Sequence, residues 1–265
     1  VEQFRNKIVW ITGASSGIGE ALVKEFASAG AKVVLSARRR EELERVTKAC
    51  HLSAENSLVL PFDLADIPSF DARTNEVIQK FGRIDILVNN GGFSQRGEAS
   101  KTSLELDRKI MEVNYFANIA LAKAVLPQML KQKSGLIIPV SSIAGKFGFY
   151  LRSSYSAAKH ALHGFYESLR LENEQDGLRV LIVCPGKIKT NVSLNAVTSD
   201  GSTHGKMDES HVNSMSPEQC AREIIAAIRK NKEEVYIGGR ELNIIWIRRF
   251  FPRLFSKIIR KQSPY

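Results

Sequence analysis

Thr12-Gly13-Ala14-Ser15-Ser16-Gly17-Ile18-Gly19 follows a short apolar run at 7–11 and leads into a helical pattern over about 18–29. A strand, a glycine-rich turn and a helix in that order open a βαβ unit. Glycines let the turn bend tightly and let a ligand approach the backbone. The helix N-terminus offers unpaired N–H groups and a favourable dipole to a pyrophosphate. Gly13, Ser15, Ser16, Gly17, Ile18 and Gly19 are therefore candidate phosphate-binding residues. The G-x-x-x-G-x-G spacing differs from the G-x-G-x-x-G fingerprint, and a plain turn with a helix cap is the competing reading.

The same rhythm continues along the chain. Further β-branched or apolar runs at 32–36, 57–61, 84–88, 135–140, 179–184 and 233–237 alternate with helical patterns. That alternation predicts an α/β fold, a doubly wound seven-stranded parallel sheet with helices on both faces. The expected organisation is one domain over 1–239 and a C-terminal helical extension over 240–265, with no linker or repeat. At 265 residues and 43% hydrophobic content the chain suits a single core. No run of about 18 apolar residues marks a bilayer span. Cys50, Cys184 and Cys220 are too widely spaced for a disulfide framework or a zinc ligand set, so a reducing compartment is expected. The start at Val1 has no signal-peptide pattern, and a removed leader or anchor stays open. The expected location is the cytoplasm or the cytoplasmic face of a membrane.

The net charge is +10, but seven basic residues against Glu241 alone lie from Arg240 onward, which leaves the body at only +4. The basic character belongs to the extension rather than to a broad nucleic-acid-binding face, and no aromatic stacking platform accompanies it.

The second strand ends in Ser36-Ala37-Arg38-Arg39, where a carboxylate would otherwise hold an adenosine ribose hydroxyl. Arg38 and Arg39 offer planar forks for a 2′-phosphate, which favours NADP(H), with NAD(H) as the alternative. The competing reading is a solvated charge run paired with Glu41, Glu42 and Glu44. Asp63, in Phe62-Asp63-Leu64, either accepts from an adenine amino group or caps a helix. Tyr155 and Lys159 are four residues apart in a helical pattern, so phenol and ammonium share one face. A phenol titrates near about 10, and a neighbouring ammonium favours its ionised form, which expects Lys159 to tune Tyr155 for acid/base work.

The Thr12–Gly19 turn, Asn89-Asn90-Gly91-Gly92, Asn114, Ser142 and Tyr155-x-x-x-Lys159 together resemble the short-chain dehydrogenase/reductase family from about residue 6 to 239. The resemblance implies a Rossmann-type NAD(P)-binding sheet and Tyr-based hydride transfer. By that resemblance Tyr155 is the general acid/base, and Lys159 lowers its pKa and holds the nicotinamide ribose. Ser142 bonds the substrate oxygen, and Asn114 positions a water through which Lys159 exchanges protons. Asn90 lines the adenosine side, with Leu64 and Gly91 also taken as cofactor-binding, and Asn89 braces the fourth strand. Pro185, Gly186, Ile188 and Thr190 match the nicotinamide-facing turn. Gly91 stands where the family commonly has Ala, a lost methyl expected to soften the turn. Leu35–Arg39, Ile86–Gly92 and Ser94-Gln95-Arg96 are similar to the member-7 group of dehydrogenase/reductases, and more distantly to microsomal hydroxysteroid dehydrogenases. The implied reaction interconverts a small-molecule carbonyl and a secondary alcohol, with lipophilic compounds as the substrate class. The competing function is a non-catalytic dinucleotide sensor or scaffold. The resemblance also implies a homodimer or homotetramer, built on helices around 114–130 and 155–171.

The polar stretch 187–215 breaks the α/β rhythm and is expected to be a loop covering the site. Its His204 and His211 lack companion ligands, so no metal is assigned. In the extension, Ile247, Phe250, Phe251, Leu254, Phe255, Ile258 and Ile259 recur at helical spacing, with Arg249, Arg253, Lys257 and Arg260 opposite. Pro252 is expected to kink this element or to begin a second helix. Two readings of the stripe stay open, peripheral contact with a membrane surface and packing on the same subunit or a partner subunit.

Overall fold

The computed structural model describes residues 2–206 and 214–262, so Met207 and His211 of the expected loop lie outside the described residues. Strand β1 (Ile8–Thr12) is buried along its whole length, as suits a parallel strand covered on both faces. Its side chains alternate between two cores. Val9 and Ile11 enter one with α1 (Gly17–Ser28) and α7 (Pro217–Arg229), through Leu22, Phe26 and Ile224. Ile8 and Trp10 enter the other with α3 (Phe70–Phe81), α5 (Ala117–Lys131) and α6 (Ser153–Asn173), through Val77, Leu121 and Leu162. The period of two along one strand thus produces three layers, helices on each side of a sheet.

Strand β1 pairs in parallel with β2 (Lys32–Ser36) on one side and β4 (Ile86–Asn89) on the other. Strand β3 (Ser57–Val59) lies outside β2, while β6 (Gly135–Pro139) and β7 (Leu178–Val180) follow β4, giving the order β3-β2-β1-β4-β6-β7. The direction of winding reverses between β1 and β4. A crevice opens at their carboxyl ends, where the Thr12–Gly19 turn and Asn89–Gly92 emerge side by side.

One strand departs from the expectation. The run at 179–184 is divided at Leu181 into β7, which pairs with β6, and β8 (Ile182–Pro185), which pairs in parallel with β10 (Glu234–Ile237). The main ladder therefore has six strands, and the last strand attaches through β8. Leu181 N–H donates to Ile137 O at 3.0 Å and Ser141 N–H to Val183 O at 2.7 Å. The bridge between Val140 and Val183 keeps the register of the Ile137–Val180 pair, so the interruption is local and the expected runs still lie side by side.

A second sheet was not anticipated. Strand β5 (Gln95–Arg96) pairs in parallel with β9 (Val197–Thr198), tying the segment after β4 to the long loop after β8 above the crevice. The extension forms α8 (Asn243–Phe250) and α9 (Pro252–Arg260), and Pro252 begins the second helix. Among the described residues no helix is long and apolar enough to cross a membrane.

Candidate active site

The Gly-rich turn is built as the sequence requires. Gly13 has φ +65°, a left-handed conformation natural to glycine, and a Cβ at Gly19 would lie 2.1 Å from Gly13 O. Ser16 is the N-cap of α1 and its side chain makes no capping bond, so the first N–H groups of α1 are not taken by its hydroxyl. Thr190 packs over Gly17, where an added Cβ would come within 3.0 Å of its Cγ2. The turn after β8 therefore reaches back across the turn after β1. Gly186 N–H donates to Ile237 O at 2.7 Å, and Ile188 is buried beside Met215.

Asn90 packs against the Gly-rich turn. Its Nδ2 donates to Thr12 O at 3.1 Å and to Gly13 O at 3.3 Å, so its amide braces the Gly-rich turn from beneath. Thr12 Oγ1 adds to this by accepting from the N–H groups of Asn90 and Gly91 at 3.1 and 3.0 Å. Asn89 braces β4 as expected, donating to Asn118 O at 2.9 Å and to the Tyr166 hydroxyl at 3.1 Å. The missing methyl at Gly91 does not leave space, because a Cβ there would stand 2.6 Å from Leu64 Cδ1. Leu64 fills the turn that the substitution was expected to soften.

Arg38 and Arg39 are both exposed at the carboxyl end of β2. Of the acidic neighbours, Glu44 pairs with Arg40 at 3.8 Å and Glu42 with Arg45 at 2.9 Å. Arg45, which sequence reading passed over, also binds Glu20 at 2.8 Å and donates to Ser15 O at 3.1 Å, fixing the turn to α2 (Arg40–Ala49). Asp63 is exposed and its Oδ1 accepts from Ala65 N–H at 3.0 Å, so it caps a turn rather than the helix offered as the alternative.

At the other end of the crevice, Ser142 leaves β6 in an extended conformation and its Oγ accepts from Ala144 N–H at 3.1 Å, which fixes its direction. Ser142 lies close enough to Tyr155 for its hydroxyl to favour the ionised phenol. Burial raises the phenol above its ordinary pKa, and the Ser142 hydroxyl and the charges of Arg152 and Arg96 only partly oppose this. Lys159 was expected to lower the phenol, but its ammonium lies over the ring, 5.6 Å from the centroid, and donates to Val140 O at 2.8 Å. The lowering charges near the hydroxyl are those of the two arginines. Lys159 is itself buried, and the loss of hydration brings its pKa down to about 8.

Asn114 sits in a π-helical turn, Glu112–Phe116, between α4 (Leu104–Met111) and α5. Its Nδ2 donates to Ile110 O at 3.0 Å, while its buried Oδ1 has no partner. A Cβ at Gly92 would lie 2.5 Å from that oxygen. A buried acceptor without a donor is costly, so the orphaned oxygen marks a place for a water or ligand donor.

Two further positioning residues escaped sequence reading. Gln95 is fully buried, and its Oε1 accepts from the N–H groups of Ser154 and Tyr155 at 3.0 and 3.4 Å, capping the helix that carries the phenol. No local signal announces a cap supplied from 59 positions away. Glu241 accepts from Lys187 N–H at 2.9 Å, and its Oε1 occupies the space where a Cβ at Gly186 would stand, 2.5 Å away. Burial opposes its charge, but the backbone donors of Lys187 and Gly239 hold its pKa below the ordinary carboxylate range. A lone acid in a basic segment was the available signal.

Behind Lys159, Ser141 Oγ donates to Lys159 O at 3.1 Å and meets His163 Nε2 at 3.1 Å. His163, Cys184 and Glu234 lie with potential ligand atoms within 4.8 Å of one another, a grouping no sequence motif announced. The Lys146 ammonium stands 2.5 Å from Glu234 Oε1, and the Tyr236 hydroxyl donates to Oε2 at 2.8 Å, so the carboxylate is already compensated. His204 of the loop is not in this group and is partly buried.

The glycine turn, the α1 terminus and the orphaned Asn114 oxygen fit a dinucleotide laid along the crevice. Comparison with known proteins agrees. The family model described as short chain dehydrogenase matches residues 7–200. A dehydrogenase/reductase SDR family protein 7-like from Anopheles gambiae is 44% identical, over 97% of this chain and 83% of that protein. Dehydrogenase/reductase SDR family member 7B from Bos taurus is 40% identical, over 98% and 82%. Among solved structures, a short-chain dehydrogenase from Streptomyces avermitilis superposes with a TM-score of 0.82 at 28% identity, covering 97% of this chain and 99% of the other. A metagenomic short-chain oxidoreductase in complex with NADP gives 0.72 at 28% identity, over 88% and 98%. A Burkholderia phymatum short chain dehydrogenase/reductase in complex with NAD gives 0.83 at 21% identity over 96% of both chains, a likeness of fold.

Proposed function

The chain belongs to the short-chain dehydrogenase/reductase family, and from that premise we propose that it is an NADP(H)-dependent oxidoreductase interconverting a carbonyl and a secondary alcohol on lipophilic compounds. The observation that carries this reading is the meeting of Ser142 and Tyr155 with Lys159 one helical turn away, at the crevice end opposite the glycine turn.

Gly13, Ser15, Ser16, Gly17, Ile18 and Gly19 would cradle the pyrophosphate, and Arg38 and Arg39 the 2′-phosphate. Asp63 and Leu64 with Asn90 and Gly91 would border the adenosine, Asn90 acting through the turn it braces. Pro185, Gly186, Ile188 and Thr190 would face the nicotinamide. When bound there, a nicotinamide dinucleotide supplies the hydride donor or acceptor. The protein's own work is proton transfer and orientation. Ser142 holds the substrate oxygen against the Tyr155 hydroxyl. The raised pKa keeps the phenol protonated at neutral pH, so it donates a proton as the carbonyl is reduced. In the oxidative direction the phenolate accepts that proton, which makes oxidation the more alkaline of the two reactions. Lys159 holds the nicotinamide ribose, and Asn114 holds a water that relays protons to Lys159. Arg38 and Arg39, with no carboxylate at Ala37, favour NADP(H) over NAD(H). Self-association as a homodimer or homotetramer is part of this reading, and Phe116 before α5 and Leu171 on α6 are exposed on the helices it would use.

A panel of lipophilic and polar ketones, aldehydes and secondary alcohols assayed with both cofactors tests the proposal. NADPH-dependent reduction of lipophilic carbonyls is expected. Cofactor binding without turnover on any member would favour the non-catalytic sensor.

A further inference from the structure

The apolar residues of the C-terminal extension divide into two sets. Ile245 is buried, and Phe255 meets Phe147 edge-on at 5.3 Å; with Leu242, Ile244 and Ile259 these residues pack against Ile143 and Phe147. That set answers half of the sequence question, because it holds the extension on its own subunit. The other set faces outward. Trp246 is 53% exposed, Phe250 and Phe251 62% each, and Leu254 47%. Half of the exposed large hydrophobics among the described residues therefore fall within one stretch of nine. They are arranged rather than scattered, since Trp246 and Phe250 stack at 6.3 Å with an interplanar angle of 11°. Phe251 stands at the bend between α8 and α9.

We propose that this face docks on an anionic lipid bilayer. Arg249, Arg253 and Lys257 are exposed on the same two helices. The one acidic residue of the extension, Glu241, is directed to Lys187 N–H and neutralises none of them. Clustered aromatic side chains within a cationic surface suit a layer of phosphate headgroups over acyl chains. A second copy of the chain fits less well. A two-fold contact through this face would set one cationic surface against another.

The position matters as much as the chemistry. The segment that anchors α8 and α9, Ile143 to Phe149, runs directly from Ser142 towards Tyr155. Docking would bring the bilayer beside the substrate side of the crevice, so lipophilic carbonyl compounds would arrive from the membrane. This last step rests on the proposed activity; the docking itself does not.

The chain has two tryptophans, and Trp10 is fully buried, so changes in fluorescence on adding vesicles report Trp246. The experiment is cosedimentation of the full chain with phosphatidylcholine vesicles, with and without phosphatidylserine, beside tryptophan quenching by acyl-chain-brominated lipid. Binding to the anionic vesicles at low salt is expected, weakened by high salt and by neutral lipid, with Trp246 blue-shifted and quenched. Phe250→Ser with Phe251→Ser should cut partitioning at least about tenfold while NADPH binding stays intact. Absence of binding to anionic vesicles at low salt would overturn the proposal. So would binding without quenching of Trp246, or a concentration-dependent dimer of the unmodified chain that the double variant abolishes. Cofactor binding and turnover are read without lipid, so failure of the proposed activity is distinguishable from failure of docking.

Discussion

The Glu241 carboxylate accepts a hydrogen bond from the backbone N–H of Lys187 at 2.9 Å, joining the first turn of the C-terminal extension to the segment that follows Pro185 and Gly186. The extension is thereby tied to the turn expected to face the nicotinamide. A charge-assisted bond of this kind contributes about 1.5–3 kcal/mol. Glu241→Ala should lower stability by about that amount and weaken NADPH binding, with Glu241→Gln intermediate. Urea unfolding and fluorescence titration of NADPH check this. An alanine variant unchanged in both would show that the contact does not position the turn.

Cofactor preference should follow charge at the end of β2. Arg38 and Arg39 are exposed there, and Ala37 supplies no carboxylate. Replacing Ala37 by Asp and Arg38 by Leu should move preference towards NADH by about tenfold or more, because one phosphate contact is lost and a ribose acceptor is gained. Parallel titrations with NADPH and NADH read the ratio. Tighter NADH binding by the unmodified chain would remove the basis for the preference.

Acid should destabilise the protein through His163. Burial and the nearby Lys146 ammonium bring its pKa from 6.5 down to about 4, against the opposing pull of Glu234. Between those values the unfolded imidazole binds a proton that the folded one does not, so stability is intact above pH 6.5 and falls as the pH drops towards 4. The loss across that window is on the order of 3 kcal/mol, at about 1.4 kcal/mol per pH unit. His163→Gln should flatten the slope between about pH 6.5 and 5, where few carboxylates titrate. An equal slope in both proteins would assign the acid sensitivity elsewhere.

Local patterns carried much of this molecule. The Thr12–Gly19 turn, the alternation of apolar runs and helices, and the four-residue step from Tyr155 to Lys159 are written in short stretches, and the fold follows from them. What was not legible depends on residues far apart in the chain. Gln95 reaches Ser154 across 59 positions and Glu241 reaches Lys187 across 54. The β5–β9 pair and the division of β7 from β8 at Leu181 likewise arise from pairing partners, not from composition. The phenol shows the same limit. Spacing placed Lys159 on the face of Tyr155, but only the fold reveals that the ammonium turns to Val140 O and that burial dominates the phenol. In the extension, amphipathic spacing identified one apolar stripe; only the fold reveals that Phe255 and Ile259 pack near Phe147 while Phe250, Phe251 and Leu254 stay exposed.

Turnover of Tyr155→Phe, measured with NADPH binding by the same purified protein, tests the central claim most directly. The substitution keeps the ring and removes the hydroxyl proposed to carry the proton. The account predicts a fall in kcat of at least about a hundredfold, the usual scale of a lost general acid, with NADPH affinity close to that of the unmodified chain. Near-normal turnover on any accepted carbonyl substrate would contradict it.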